Sequence, residues 1–286
     1  MSDRKKGLIF AFSSAILYGL IPILGKKFVL EFSPLFVALI VTLISDIYFA
    51  GIVLWRRELF SNLFRKQIRW VVLVGFLAAL GSVLSFVGLS VGKANEAGFF
   101  FQFETFFAAI LAFLFLQEKL TRHQIIGLGI MFLGAYIFSF HGTFNLGNLF
   151  FLATALLWGL NDTIIRRKNR DFSSFFLAFG RSFFSALFLL PLAYRYIPQN
   201  VEKITITNIY FFLIYGGVVA GILLSKYFAL RYLKTAEATA FQVASPVVTL
   251  VVAFFVLREQ LVSIQLIGGS LVLAGLYLTT RPKKLL

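Results

Sequence analysis

The chain has 286 residues, 59% of them hydrophobic and only 14% charged, with a mean hydropathy of +0.89. A soluble domain averages about 45–50% apolar and about 25% charged residues, so a water-soluble enzyme is excluded, and 37 Phe with no Cys exclude a disordered chain and a disulfide-stapled module. The net charge of +15 lies in short clusters between apolar runs, such as Arg4-Lys5-Lys6, Arg65-Lys66 and Arg166-Arg167-Lys168, a pattern of membrane topology and not of a nucleic-acid surface.

A spanning helix needs about 20 apolar residues. Cutting at charge clusters and turn formers predicts ten of them, roughly over 7–25, 34–55, 70–92, 95–116, 122–140, 147–165, 172–194, 208–230, 237–257 and 262–280. The first follows Arg4-Lys5-Lys6 without a small-x-small cleavage site and reads as an uncleaved span. It carries Tyr18 and the breaker Gly19-Leu20-Ile21-Pro22. The second holds Asp46 at mid-depth. The third bears a stripe of small residues, Gly81, Ser85, Gly88 and Gly92, on one face, and such stripes mark close helix contact. Gln102 and Glu104 lie on the fourth, Trp158, Gly159, Asn161 and Asp162 on the sixth, Arg181 on the seventh, and Lys226 with Tyr227 on the eighth. Gln242 and Pro246 fall on the ninth. Gly127 and Gly134 of the fifth span and Gly268 and Gly275 of the tenth recur at seven residues, giving smooth faces for tight packing or for a homodimer.

The chain also repeats itself. Residues 75–137 match 216–278 without gaps at 17 of 63 positions, where roughly one in ten would match by chance in so Phe- and Leu-rich a chain. Residues 7–55 match 147–195 upstream, pairing Gly19 with Gly159. The halves divide as 1–141 and 142–286, five spans each, and five being odd, the second copy inserts upside down. Nineteen Lys and Arg fall on the N-terminal side of the alternating loops and six on the other, which places both termini in the cytoplasm. The expected fold is therefore an all-α membrane protein of ten transmembrane helices in two inverted five-helix repeats, an architecture of secondary transporters.

Phe115-Leu116-Gln117-Glu118-Lys119-Leu120, followed by Gln124 and Gly127, resembles the signature of the EamA-like family of drug/metabolite transporters. Val256-Leu257-Arg258-Glu259-Gln260-Leu261, with Gln265 and Gly268, repeats it. The resemblance covers nearly the whole chain. It implies a ten-helix metabolite carrier of the inner membrane, driven by an ion gradient or by exchange, with a cavity lined by the first, third, fourth, sixth, eighth and ninth helices. The family places Pro in the middle of the fourth and ninth helices; Ser245-Pro246 keeps it, whereas Glu104-Thr105 departs from it. Thr121-x-x-Gln124 reads as a capping box that starts the fifth helix.

Ionisable groups inside a membrane are functional candidates because each costs at least about 2.5–3.5 kcal/mol to bury. Glu104 stands out, since Ser245 replaces it in the other half. It is expected to face the cavity and either contact a cationic group or exchange a proton; the opposing reading is a buried pair with Arg181 or Lys226. Candidate substrate contacts are Glu104, Gln102, Asn161, Asp162, Lys226, Tyr18, Trp158, Gln242, Tyr227 and Ser85; Glu104 and Asp46 are the candidates for ion or proton coupling. Gly19, Pro22, Gly159 and Pro246 are the candidate helix breaks or gates, where opened backbone requires protein or a wet cavity around it. Packing is the alternative for the aromatics and glycines.

No G-x-x-x-x-G-K-[ST] occurs, and the two His lie in or beside loops, so no catalytic residue, metal or cofactor is expected. The expected function is alternating-access secondary transport of a small polar metabolite, amino acid-like or an organic cation. The expected partners are that substrate and the cytoplasmic (inner) membrane bilayer, with no nucleic acid. An exchanger of anionic phosphorylated metabolites, for which Lys226 and Arg181 would serve, and a lipid flippase stay open; a non-transporting membrane enzyme or sensor is the remaining class.

Overall fold

The computed structural model describes residues 2–56, 62–92, 94–139, 145–168, 173–245 and 263–280, and all regular structure among them is helical. Pro246, the second signature copy at 256–261 and the expected division of the halves at 141/142 lie outside the described residues. The helices are α1 (Asp3–Tyr18), α2 (Ile21–Glu31), α3 (Pro34–Arg56), α4 (Asn62–Val91), α5 (Ala94–Phe100), α6 (Phe103–Leu116), α7 (Arg122–Ser139), α8 (Leu146–Lys168), α9 (Ser174–Ala193), α10 (Ile197–Val201), α11 (Ile206–Tyr232), α12 (Thr235–Ala240) and α13 (Ser263–Thr280). Seven helical segments among the described residues are long and apolar enough to cross a bilayer, and with the 18-residue α7 and α13 they make a multi-spanning integral membrane protein. The polarity is that of a lipid-bathed bundle. Leu30, Ile47, Phe113, Leu114, Leu187 and Ile206 lie exposed on the outside, while Glu104, Asp162, Lys226, Asn161 and Gln102 are buried.

Breaks in the helices position the polar groups. The first span is one 29-residue crossing interrupted after Tyr18, where Gly19 and Leu20 form a turn and Pro22 opens α2, its missing N–H being tolerated in a first turn. Gly159, expected as the mate of this break, instead lies within uninterrupted α8. A Cβ there would meet Ala108 N at 2.9 Å and Glu104 O at 3.0 Å, so its role is the close approach of α8 to α6. The fourth span breaks where no proline stands, at Phe101-Gln102, and restarts with three-residue turn bonds from Glu104 N to Phe101 O and from Thr105 N to Gln102 O. The equivalent stretch of the other half, Phe241–Ala244, is likewise a 3₁₀ turn.

The glycine stripe is a packing seam. Gly81 lies under Trp158, Gly88 under Phe151 and Gly92 against Gly147, which locks α4 onto α8. Gly127 and Gly134 serve the same end between α7 and α13: a Cβ on Gly127 would sit 2.7 Å from Gly275 O, and one on Gly134 2.7 Å from Gly268 O. Ascending residues of one helix meet descending residues of the other, so the two run antiparallel and consume their smooth faces within the chain. α1 packs on α11 as α8 packs on α4, and α3 crosses α9. The capping box forms as the spacing predicts, with Thr121 N donating to Gln124 Oε1 at 2.9 Å and Gln124 N to Thr121 Oγ1 at 3.3 Å.

Candidate functional site

Between α1, α2, α3, α4, α6, α8, α9 and α11 lies a cavity at the centre of the bundle. Eight sequence-predicted residues line it: Tyr18, Ser85, Glu104, Trp158, Asn161, Asp162, Lys226 and Tyr227. The break at Phe101-Gln102 places Glu104 in the first turn of α6, and the close α6–α8 contact at Gly159 brings that turn beside Asp162. From α11, Lys226 reaches between the two acids. Its ammonium donates to Glu104 Oε1 and stands 2.7 Å from Asp162 Oδ2. Tyr18, at the end of α1, donates its hydroxyl to Glu104 Oε2 at 2.8 Å. All four residues are at most 6% exposed. Charges this deep persist only when paired.

Glu104 thus lines the cavity and also makes the pair with Lys226 that stood as its opposing reading, and Asp162 shares the lysine. Around the cluster, Asn161 Nδ2 donates to Val74 O at 2.9 Å and Tyr227 donates its hydroxyl to Asn161 Oδ1 at 3.3 Å. Tyr18 and Trp158 meet edge to face with centroids 6.4 Å apart. The Trp158 indole N–H has no partner among the described residues.

Three predicted residues stand apart from the cavity lining. Gln102 Nε2 donates to Gly98 O at 2.7 Å and to Ser245 Oγ at 3.3 Å, an interhelical bond between the fourth and ninth spans. Gln242 is buried in the 3₁₀ turn, its amide without a partner among the described residues. Asp46 lies on α3, both its carboxylate oxygens buried and likewise unpartnered. The lining differs from what the resemblance implies, because the second span supplies Val41 and Thr42, the seventh supplies Arg181, Ser182 and Ser185, and the described part of the ninth supplies no lining residue. Arg181, Ser182 and Ser185 fall on one face of α9 at i, i+1 and i+4, a spacing readable in the chain but indistinguishable there from a small-residue packing face.

Layers of different chemistry flank the cavity. On the loop side poorer in Lys and Arg, Phe28 stacks on Phe212 at 4.0 Å and on Tyr215 at 5.9 Å, and Phe86 meets Tyr215 edge to face. On the basic side, α6 ends at Gln117 in a left-handed conformation (φ 55°) that turns Glu118 toward the second half. There Glu118 accepts from Arg166 Nε at 2.9 Å and from Thr235 N at 2.9 Å, while Arg166 Nη1 donates to Leu230 O at 2.7 Å. The signature glutamate, read from sequence only as the residue before a helix start, ties the end of α6 to α8 and α12.

The sequence model of the EamA-like transporter family matches residues 5–140 and again 145–281. The chain belongs to the EamA-like transporter family. Membership sets it among membrane transporters and not among enzymes. An "Uncharacterized transporter" of Archaeoglobus fulgidus is 26% identical over 72% of this chain and 67% of its own length. The "Uncharacterized transporter YojE" of Bacillus subtilis is 24% identical over 98% and 95%. A "Probable terminal-alkyne amino-acid exporter" of Streptantibioticus cattleyicolor is 26% identical over 76% of this chain and 75% of its own. A crystal structure aligns with a TM-score of 0.79 over 96% of this chain and 98% of that one at 13% identity, a likeness of fold alone.

Proposed function

We propose that this EamA-like protein is a secondary transporter that carries a small polar metabolite, amino acid-like or an organic cation, across the cytoplasmic membrane by alternating access. The observation that carries this reading is the buried cluster itself. Glu104 and Tyr18 come from the first repeat, Asp162 and Lys226 from the second, so any rocking of one half against the other changes the pairing at the cavity. A substrate ammonium placed there competes with the lysine for two carboxylates, which gives the two states a differential affinity for cargo, the requirement for a ligand to shift a conformational equilibrium. The antiparallel α7–α13 pair supports an inverted arrangement of the halves. The excess of Lys and Arg on one set of loops supports cytoplasmic termini. The amino-acid exporter named among the relatives points to the same cargo class.

Glu104 and Asp46 are the proposed coupling carboxylates, the first through exchange between Lys226, substrate and proton, the second because its buried oxygens lack a partner among the described residues. The breaks at Gly19-Leu20 and Phe101-Gln102 are the proposed hinges. Purified protein in proteoliposomes, offered an amino acid, a quaternary amine and a sugar phosphate with and without a pH gradient, tests the reading. Saturable movement of one class is expected, with Glu104→Gln abolishing its dependence on the gradient. A substrate altered without being moved, or no saturable flux of any of the three, would overturn it; an unchanged rate and pH profile in Glu104→Gln would remove that residue from the mechanism.

A further inference from the structure

We infer that a groove on the outer side of the bundle, separate from the central cavity, holds one acidic phospholipid of the leaflet on the basic side, with its phosphate at Arg231. α1 and α9 each pack on α11. Between them one face of α11 forms the floor of the groove, Gly221, Leu224, Ser225, Phe228 and Arg231 at helical spacing. Phe10 of α1 and Phe175 of α9 make the walls. Both meet the floor at Phe228, the first stacked with ring centroids 4.8 Å apart, the second edge to face at 5.0 Å. Gly221, Leu224, Ser225 and Phe228 are half-buried and Arg231 is exposed, so the groove is open at its side and at its basic end. A Cβ on Gly221 would stand 2.8 Å from Leu17 Cδ1, so α1 closes the inner end. Gly221 and Arg231 are ten residues apart on α11, about 15 Å of helix, which is half of a hydrocarbon core about 30 Å thick. The groove therefore runs from headgroup level to mid-bilayer, the depth of one leaflet.

The chemistry of the groove is graded as a phospholipid is. At the basic end the Arg231 guanidinium makes no ion pair or hydrogen bond among the described residues, whereas nearby Arg166 is committed to Glu118 and Leu230 O. A free guanidinium presents the donor fork that suits a phosphate. The Ser173 hydroxyl, which caps α9 by accepting from Phe176 N at 3.1 Å, borders the same groove. Further in, the Ser225 hydroxyl has no partner among the described residues, and the three phenyl rings offer apolar faces to an acyl chain. The fold does not require this set. In the ungapped repeat the same five positions of α4 are Leu80, Val83, Leu84, Val87 and Ser90, an aliphatic face with no ring and no charge. Bulk lipid is satisfied by such aliphatic side chains, and topology alone would account for Arg231 but not for Ser225 and the rings. Net charge chooses among phospholipids. The loops on this side carry nineteen Lys and Arg, which attract an acidic headgroup and repel one that bears an ammonium of its own.

Three phospholipids with the same dioleoyl chains and different headgroups test this: phosphatidylglycerol, phosphatidylethanolamine and phosphatidylcholine. Each is titrated into the full-length protein in detergent and counted by native mass spectrometry. One phosphatidylglycerol per chain is expected, held at least about fivefold tighter than either zwitterion, the effect of one basic side chain at an anionic headgroup. Arg231→Gln is expected to lose that factor and Arg231→Lys to keep most of it. Ser225→Leu, which installs the side chain found at that place in the first repeat, is expected to fill the groove and weaken all three lipids. A phosphatidylglycerol with a diazirine along one chain locates the site in the unaltered protein, so the test does not depend on the variants folding. Its crosslinks are expected on α11 from Gly221 to Phe228 and on Phe10 or Phe175. Equal affinity for the three headgroups, phosphatidylglycerol binding intact in Arg231→Gln, or crosslinks spread over the whole outer surface would overturn the assignment. A dimer that shields the groove from the probe would give it to a second copy of the chain and overturn the lipid equally. The inference asks only for a chain in a bilayer: its failure leaves the transporter reading standing, and proteoliposomes without flux leave the lipid site standing.

Discussion

Lys226 shows how far a single side chain can be read from the chain alone. A lysine in an apolar span that faces serine in the repeat is conspicuous, and so is a glutamate in the same predicament at 104. Their meeting was one of two named options, because charges buried in hydrocarbon must find each other. The third member was harder: Asp162 lies toward the basic end of α8, where it could have reached water, and the close packing of α8 on α6 at Gly159 draws it inward. Arg181 was visible as a charge, but its orientation depends on how α9 is rotated about its axis, which hydropathy does not encode when serines flank it. The cluster makes a stability prediction of unequal signs. Lys226→Met strands two adjacent carboxylates and should cost about 3–5 kcal/mol, as removal of one partner of a buried ion pair does. Adding Glu104→Gln and Asp162→Asn removes the stranded charges and should restore most of the melting temperature in detergent, while substrate flux stays lost. If the triple variant melts as low as Lys226→Met, steric fit and not charge governs the site.

At the level of helices, apolar runs between basic clusters located the spans, and Gly19 with Pro22 announced the first break. The break at Phe101-Gln102 had no such marker, since the chain carries Glu104-Thr105 where the family carries proline, and the turn is held by tertiary contacts such as Thr105 Oγ1 to Thr239 O at 2.9 Å. Pattern reading cannot see a break whose cause lies 134 residues away. The glycine spacing of the fifth and tenth spans left intrachain packing and homodimerisation equally open, and the geometry assigns it to the α7–α13 seam. Gly127 and Gly129 therefore separate cleanly. Gly127→Ala puts a methyl 2.7 Å from Gly275 O and should destabilise by about 1–3 kcal/mol through overpacking. Gly129→Ala meets nothing within 4 Å and should be neutral or stabilising by up to about 1 kcal/mol from helix propensity. Thermal unfolding of the two variants in detergent checks the contrast, and equal destabilisation would mean that the seam is looser than its backbone contacts indicate.

For the whole molecule the repeat was the most legible feature, because two copies that must fold the same way keep the same glycines, capping residues and loop acids in register. What a repeat cannot state is which way each copy faces, a property of an odd number of crossings and of charge on the loops. The proposed inversion matters because the cluster takes two groups from each half, and halves that enter the bilayer from opposite sides would rock about a common centre as gates on alternate faces. The chain has no Cys, so single cysteines report location without background. Thr143→Cys, in the fifth-to-sixth connection, and Glu202→Cys, after α10, should react with a membrane-impermeant maleimide on intact cells. Lys5→Cys and Lys168→Cys, on the basic side, should react only after permeabilisation. Because α8 crosses the bilayer between them, Thr143 and Lys168 must label oppositely in any valid topology, which supplies an internal control. Labelling of Thr143→Cys confined to permeabilised cells would give the first half an even number of crossings, and the two copies would then insert in parallel, with no opposed hinges for Glu104 and Lys226 to join.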